Sequence, residues 1–343
     1  MKKIIYFAAV AALAVVGCTK SDEGISNLDK QFTITASIGD KHTRTTYTDL
    51  TEDPNLGLKV EWEANEKITV IELNDLKQRT AVYEFTSTDG AGDVATFTAP
   101  MGFEVNNNSH YVAIYPPVKA TGLDGFNDMH YYSGIAANVP TFALYGGAAD
   151  GLFWMSSKFL AGTNKVYQEG AKDASHLKNY DAMVSAVTFD GNNADINFTK
   201  LNAVIKWDLT LPEQAKGKEV YQATLSSSKN VYYDATITFS KIIEGNPYWS
   251  TGNRTTDYVI SLGNMTGTSR ITVPDDGKLS VYMPVYGAKS GYNEDPALRK
   301  NVDYTITIHG IEGTYSATAQ PSEDMLLEQG KVYVLTATLT EQL

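Results

Sequence analysis

The chain has 343 residues, 28 of them Lys or Arg and 40 of them Asp or Glu, for a formal net charge of −12. A surface so acidic repels phosphate backbones and anionic headgroups, which excludes nucleic acid as a partner. A single cysteine excludes an internal disulfide, so stability has to come from buried apolar surface.

Residues 1–17 read as a lipoprotein signal peptide. Lys2 and Lys3 form a basic start, residues 4–16 an apolar stretch, and Val15-Val16-Gly17-Cys18 a small-residue cleavage site ending in cysteine. The apolar stretch is too short to span a bilayer. The pattern matches a bacterial lipobox, cut between Gly17 and Cys18 and then acylated, with palmitate-type chains, on the Cys18 thiol and the new amine. Acylation contributes about 0.8 kcal/mol per buried methylene, so several chains make a lasting anchor in outer-membrane lipid. Loss of Lys2 and Lys3 leaves 26 basic against 40 acidic residues, a net charge of −14. Residues 18–29 form a polar tether.

Beyond residue 30 the dominant signal is period-two alternation in short runs rich in Thr, Val, Ile and Tyr, which predicts strands on half-buried surfaces. The first is QFTITASI, with Phe32, Ile34, Ala36 and Ile38 on one face. Runs at 67–73, 81–87, 94–100 and 110–117 follow. In the second half the alternating sets include Ile205, Trp207 and Leu209; Tyr233, Ala235, Ile237 and Phe239; Tyr304, Ile306 and Ile308; and Tyr333, Leu335, Ala337 and Leu339. Asp-Gly and similar pairs at 89–90, 190–191, 276–277, 312–313 and 329–330 mark the turns. This predicts an all-β fold of sandwiches or barrels. Only residues 168–183 offer a short helix. Residues 119–165, rich in Gly, Tyr, Phe and Ala, predict an irregular insertion elaborating the first domain. The expected domains are 30–192 and 193–343, and no repeat of 20–50 residues is visible.

The five histidines show no metal-ligand spacing, and no nucleophile elbow or phosphate loop occurs. The sequence therefore predicts no enzyme, no cofactor and no metal.

Taken in order, the motifs resemble those of the fimbrillin-like proteins, pilus subunits of Bacteroides-type bacteria. The matching residues are the lipobox, Thr43-Arg44-Thr45, Trp62 ahead of Glu66-Lys67-Ile68, Tyr115-Pro116, Asp181-Ala182-Met183, residues 198–209 and the closing run 327–339. Glu66 stands where a Gly-Asp turn is more usual. Lys20 to Glu23, with the acids Asp22 and Glu23, resembles the outer-surface sorting signal of lipoproteins from the same group. The resemblance implies two tandem Greek-key, transthyretin-like β-sandwiches, exported as a lipoprotein to the outer membrane and cell surface. It also implies a trypsin-like cut after an arginine near the N-terminus. That cut removes the lipid and the first strand, and the open groove accepts a strand from another fimbrial subunit, which is donor-strand exchange.

Arg44, followed by Thr45, is the expected cut site, with Arg79 as its rival. If Phe32, Ile34 and Ile38 are fully buried, losing them forfeits roughly 4–9 kcal/mol, against about 5–15 for a whole domain. The cut domain would therefore need a replacement strand. A last strand ending at Leu339 leaves little chain to donate, so tip, stalk and anchor roles stay open. A second reading is a monomeric surface lipoprotein binding host or bacterial glycans. Tyr131, Tyr132, Tyr145, Phe153 and Trp154 would then supply faces for sugar stacking.

Overall fold

A computed structural model describes residues 31–38, 61–74, 78–89, 92–117, 142–144, 151–154, 166–179, 182–229, 232–247, 250–263, 269–288 and 298–342. The first half contributes β1 (Thr33–Ile38), β2 (Lys67–Asn74), β3 (Gln78–Ser87), β4 (Val94–Thr98) and β5 (His110–Tyr115). The middle adds β6 (Phe142–Leu144), β7 (Gly151–Trp154), β8 (Val166–Gln168), β9 (Met183–Val187) and β10 (Asn193–Lys200). In the second half are β11 (Asn202–Thr210), β12 (Glu219–Ser227), β13 (Tyr232–Thr238), β14 (Ser250–Thr255), β15 (Asp257–Leu262) and β16 (Ile271–Thr272). The chain closes with β17 (Lys278–Tyr286), β18 (Tyr304–Gly310), β19 (Thr314–Ala319), β20 (Val332–Thr338) and β21 (Thr340–Glu341).

The all-β expectation holds. β1, β10, β9, β5, β2, β3 and β4 close on themselves in that order. Two arcs make up this closed sheet. In one, β1 lies antiparallel to β4 and parallel to β10. In the other, β2 lies between β3 and β5, and β5 pairs with β9. Only short pairings join the arcs, Thr86 and Ser87 with Thr98 and Phe97, and Thr199 and Lys200 with Val184 and Met183. Ile34, Phe97 and Phe198 of the first arc pack on Ile68, Phe85 and Met183 of the second, all essentially without solvent exposure.

The second half repeats these pairings. β11 lies antiparallel to β17 and parallel to β20. β12 lies between β15 and β18, and β18 pairs with β19. The likeness resides in which strand pairs with which, and for that reason no sequence period reveals it.

β2 and β5 are buried on both faces over 68–73 and 111–115. Val70 and Ala113 face the closed sheet. Ile71, Val112, Ile114 and Val184 face the other way, into a cluster shared with the second half. A five-residue helix, Phe239–Ile243, joins that cluster through the fully buried Phe239 and Ile242. Phe239 reads as a strand residue in the alternation, yet it starts this helix.

One expectation changes: the described residues of 168–183 form no regular helix. β8 ends at Gln168, a 3-10 turn occupies Ser175–Asn179, and β9 starts at Met183. The chain bends tightly there, since a Cβ on Gly170 would come within 2.8 Å of the Asp173 Cβ. Among the described residues, the strands of the insertion and the one that follows it pair with each other and with the second half. β7 pairs with β13, β6 with β7, and β8 runs parallel to β15. Finally, β10, just past the expected boundary at 192/193, pairs with β1 and β9, and the sheet changes at Leu201.

Candidate functional site

The site is the seat of β1. Its sequence alternates because one face meets the closed core and the other meets solvent. Ile34 and Ala36 are fully buried, and Phe32 and Ile38 are half-buried. The summed burial expected for this strand is therefore an overestimate. Ile34 contributes about 1.5–3 kcal/mol, and Phe32 and Ile38 add only part of that each.

Phe32 closes one mouth of the sheet. Its ring meets Phe103 edge-on at 5.3 Å and Phe189 at 6.1 Å. On the outer face the Thr33 hydroxyl donates to Asn193 Oδ1 at 2.7 Å, and the Ser37 hydroxyl donates to the Ile196 carbonyl at 3.2 Å. The Thr33 N–H donates to the Asn192 carbonyl, and the Ala99 N–H to the Phe32 carbonyl, both at 2.9 Å. Thr33 to Ser37 are in register with Thr98 to Val94, and Thr33 to Ile38 with Asn193 to Phe198. Among the described residues β1 alone pairs with both β4 and β10. Taking β1 out would leave two facing strand edges with an apolar floor, which is the geometry that strand addition needs.

Several residues that carry the resemblance meet beneath that floor. Trp62 is fully buried and lies edge-on to Tyr115 at 5.3 Å and to Phe97 at 5.1 Å, with Phe198 tilted at 5.8 Å. Tyr115 donates its hydroxyl proton to Glu66 Oε1 at 3.0 Å, and Glu66 Oε2 accepts the Glu63 N–H at 3.0 Å. Glu66 thus ties the turn to β5. The left-handed conformation is taken one residue earlier, by Asn65 at φ 65°, so a glycine at 66 is not required.

One buried carboxylate deserves a chemical test. Glu72, 8% exposed, accepts the Ser109 hydroxyl at 2.6 Å, the Asn106 amide at 3.3 Å and the Tyr83 hydroxyl at 3.3 Å. Burial and the Glu72 charge push the Tyr83 phenol up to about 12. Each partner is a neutral donor, and the network pins residues 106–109 to β2 and β3. Among the described residues no group of His, Cys, Asp and Glu is placed to hold a metal ion.

Gly17, Cys18, Arg44, Thr45, Tyr131, Tyr132 and Tyr145 lie outside the described residues. Phe153 and Trp154 are in β7, in register with Thr236 and Ala235. The rival site Arg79 lies inside β3, in register with Leu73. Proteases cut exposed, unpaired backbone more readily, which counts against Arg79. Sequence reasoning missed Phe103 and Phe189, the partners of Phe32. They lie outside the strands, in segments without alternation.

No family model matches the chain, and no curated protein matches it. The solved structures to which it is similar include a candidate cell adhesion protein of Bacteroides ovatus, at 12% identity and a TM-score of 0.47, with 91% of this chain and 95% of that one covered. Another is a candidate cell adhesion protein of Bacteroides uniformis, at 15% identity and a TM-score of 0.45, covering 92% and 98%. A third is a fimbrial assembly protein of Parabacteroides distasonis, at 9% identity and a TM-score of 0.33, covering 91% and 98%.

Proposed function

We propose that this protein is a structural subunit of a cell-surface fimbria, exported as a lipoprotein acylated on Cys18. It assembles by donor-strand exchange once a cut at Arg44 releases β1. The chain is then two tandem Greek-key, transthyretin-like sandwiches, one ending with β10 and the other beginning with β11. The observation that carries this reading is the place of β1. It is a short strand of six residues, and among the described residues it alone pairs with both β4 and β10. The repeated pairing of the two halves supports the tandem arrangement.

The test is the N-terminal residue on intact cells, read together with gel migration before and after trypsin. A processed subunit starts at Thr45 and runs as SDS-resistant ladders. Complete cleavage at Arg44 that leaves a monomer with β1 still bound rejects polymerisation through this groove. An acylated Cys18 on every surface copy restricts the role to an anchor or a lipid-held binding protein.

A further inference from the structure

β17 is an outer strand of the sheet β17-β11-β20. One edge of β17 pairs with β11 along its whole length. Its other edge points its backbone groups at alternate residues, Ser280, Tyr282 and Pro284. Bare, such a row would be a template for another strand.

Each of these groups is taken. The Ser280 N–H donates to the Ala171 carbonyl at 2.8 Å. The Gln168 amide then bridges two residues of the edge. Its Nε2 donates to the Ser280 carbonyl at 2.7 Å, and its Oε1 accepts the Tyr282 N–H at 3.0 Å. His176 Nε2 meets the Tyr282 carbonyl at 3.1 Å. Pro284 has no N–H, and its carbonyl accepts the Tyr258 hydroxyl at 2.6 Å. Thus one carboxamide, one imidazole and one phenol, with a single carbonyl, stand in for a neighbouring strand.

The groups that do this are themselves withdrawn from water. Gln168 is 0% and His176 4% exposed. Burying an amide and an imidazole is unfavourable unless they are hydrogen-bonded, and here their bonds go to the backbone of one edge. Gln168 also donates to the Gly170 carbonyl at 2.7 Å, which folds the segment back on itself. Ala174 and Leu177 pack on Val204 and Tyr282, fixing the segment to the outer face of the same sheet. In the first half, the strand in the equivalent position, β4, has Thr96 covered by its own chain. The Thr96 carbonyl accepts the Thr88 N–H at 2.9 Å, and its N–H donates to Asp89 Oδ1 at 2.7 Å.

We propose that residues 166–179 are a strap that seals the outer edge of β17 against strand addition by a second copy of this chain. An antiparallel edge is self-complementary under a two-fold axis, so the occupant that fits the bared edge is the same edge of another copy. The strap thereby keeps association by strand pairing away from this side of the second half. The inference goes beyond the assembly reading above and does not depend on release of β1.

The full chain carrying Gln168→Met tests it. Methionine keeps the length and volume of the buried side chain but offers neither amide group. Amide exchange at Ser280 and Tyr282 should quicken about tenfold to a hundredfold while β18 amides hold. Sedimentation should show a dimer that grows with concentration. Unchanged protection at both amides overturns the strap. Faster exchange in a protein that stays monomeric overturns its role as a guard. If Gln168→Met does not fold, the wild-type chain in sub-denaturing urea decides. Ser280 and Tyr282 should exchange before the amides of β11, with association appearing alongside. Exchange of all of them only on global unfolding overturns the proposal.

Discussion

β1 and β11 hold the same place in their sheets. Each lies between an antiparallel strand, β4 or β17, and a parallel one, β10 or β20. Their burial differs. β1 has six residues, of which Ile34 and Ala36 are buried. β11 has nine and buries Asn202, Ala203, Val204, Ile205, Trp207 and Leu209. Equal topology therefore does not mean equal attachment. A strand with two buried side chains costs less to withdraw than one with six. A strand with six is part of the foundation. The two parallel neighbours contrast the other way. β10 buries Ala194, Ile196, Phe198 and Lys200, whereas every residue of β20 is half-buried or exposed.

The sharpest way to break this contrast is in β11. Trp207→Ala should destabilise the protein by about 3–5 kcal/mol in urea unfolding, since Trp207 belongs to the cluster shared by both halves. A loss no larger than that of a β1 substitution would erase the distinction.

Next in size is acid. Burial holds the His176 imidazole at about 4, against an ordinary 6.5, while the nearby Asp173 and the Tyr282 carbonyl only partly offset that. The folded state thus favours the neutral ring, and the unfolded state binds the proton more readily. The stability is fully present above pH 6.5 and is lost as pH falls from 6.5 to 4, about 3 kcal/mol in all. Urea midpoints across that range should show the slope, and His176→Gln should flatten it.

Ile34→Val, in β1, should cost about 0.5–1.5 kcal/mol by the same unfolding measurement. The smallest effect belongs to Lys67→Ala. It removes a half-exposed ion pair with Glu84 at 2.5 Å and should change stability by under about 1 kcal/mol. A larger loss there would mean that the rim of the sheet, rather than its floor, sets the attachment of strands.

What was legible in the sequence follows from whether a residue's neighbours impose a period. β1, β11 and β18 have one face on a core, so their alternation could be read directly. β2 and β5 are buried on both faces. Their strand character was legible from Val, Ile and Tyr content, but not the second surface they pack on. The segment 168–183 reads as a helix in the sequence. Its conformation is set by Gln168 and His176 binding a strand more than a hundred residues away, and no local pattern encodes that. Phe239 continued an alternation, and only its packing beside Val112 and Ile114 shows why the chain turns helical there. Of the candidate site, the apolar face of β1 was legible. Its aromatic partners Phe103 and Phe189 and its two flanking ladders were not, because they depend on how the sheet closes.

The junction of the halves has one more consequence. β10 runs into β11 through Leu201 alone, which is fully buried and donates its N–H to the Ala182 carbonyl at 2.8 Å. No flexible spacer separates the two sheets, and the cluster containing Leu201 reaches from Ile71 in β2 to Leu339 after β20. Heat therefore has no seam at which to melt one half and spare the other. Calorimetry should record a single cooperative transition, with equal calorimetric and van't Hoff enthalpies, in a chain whose strand pairings read as two.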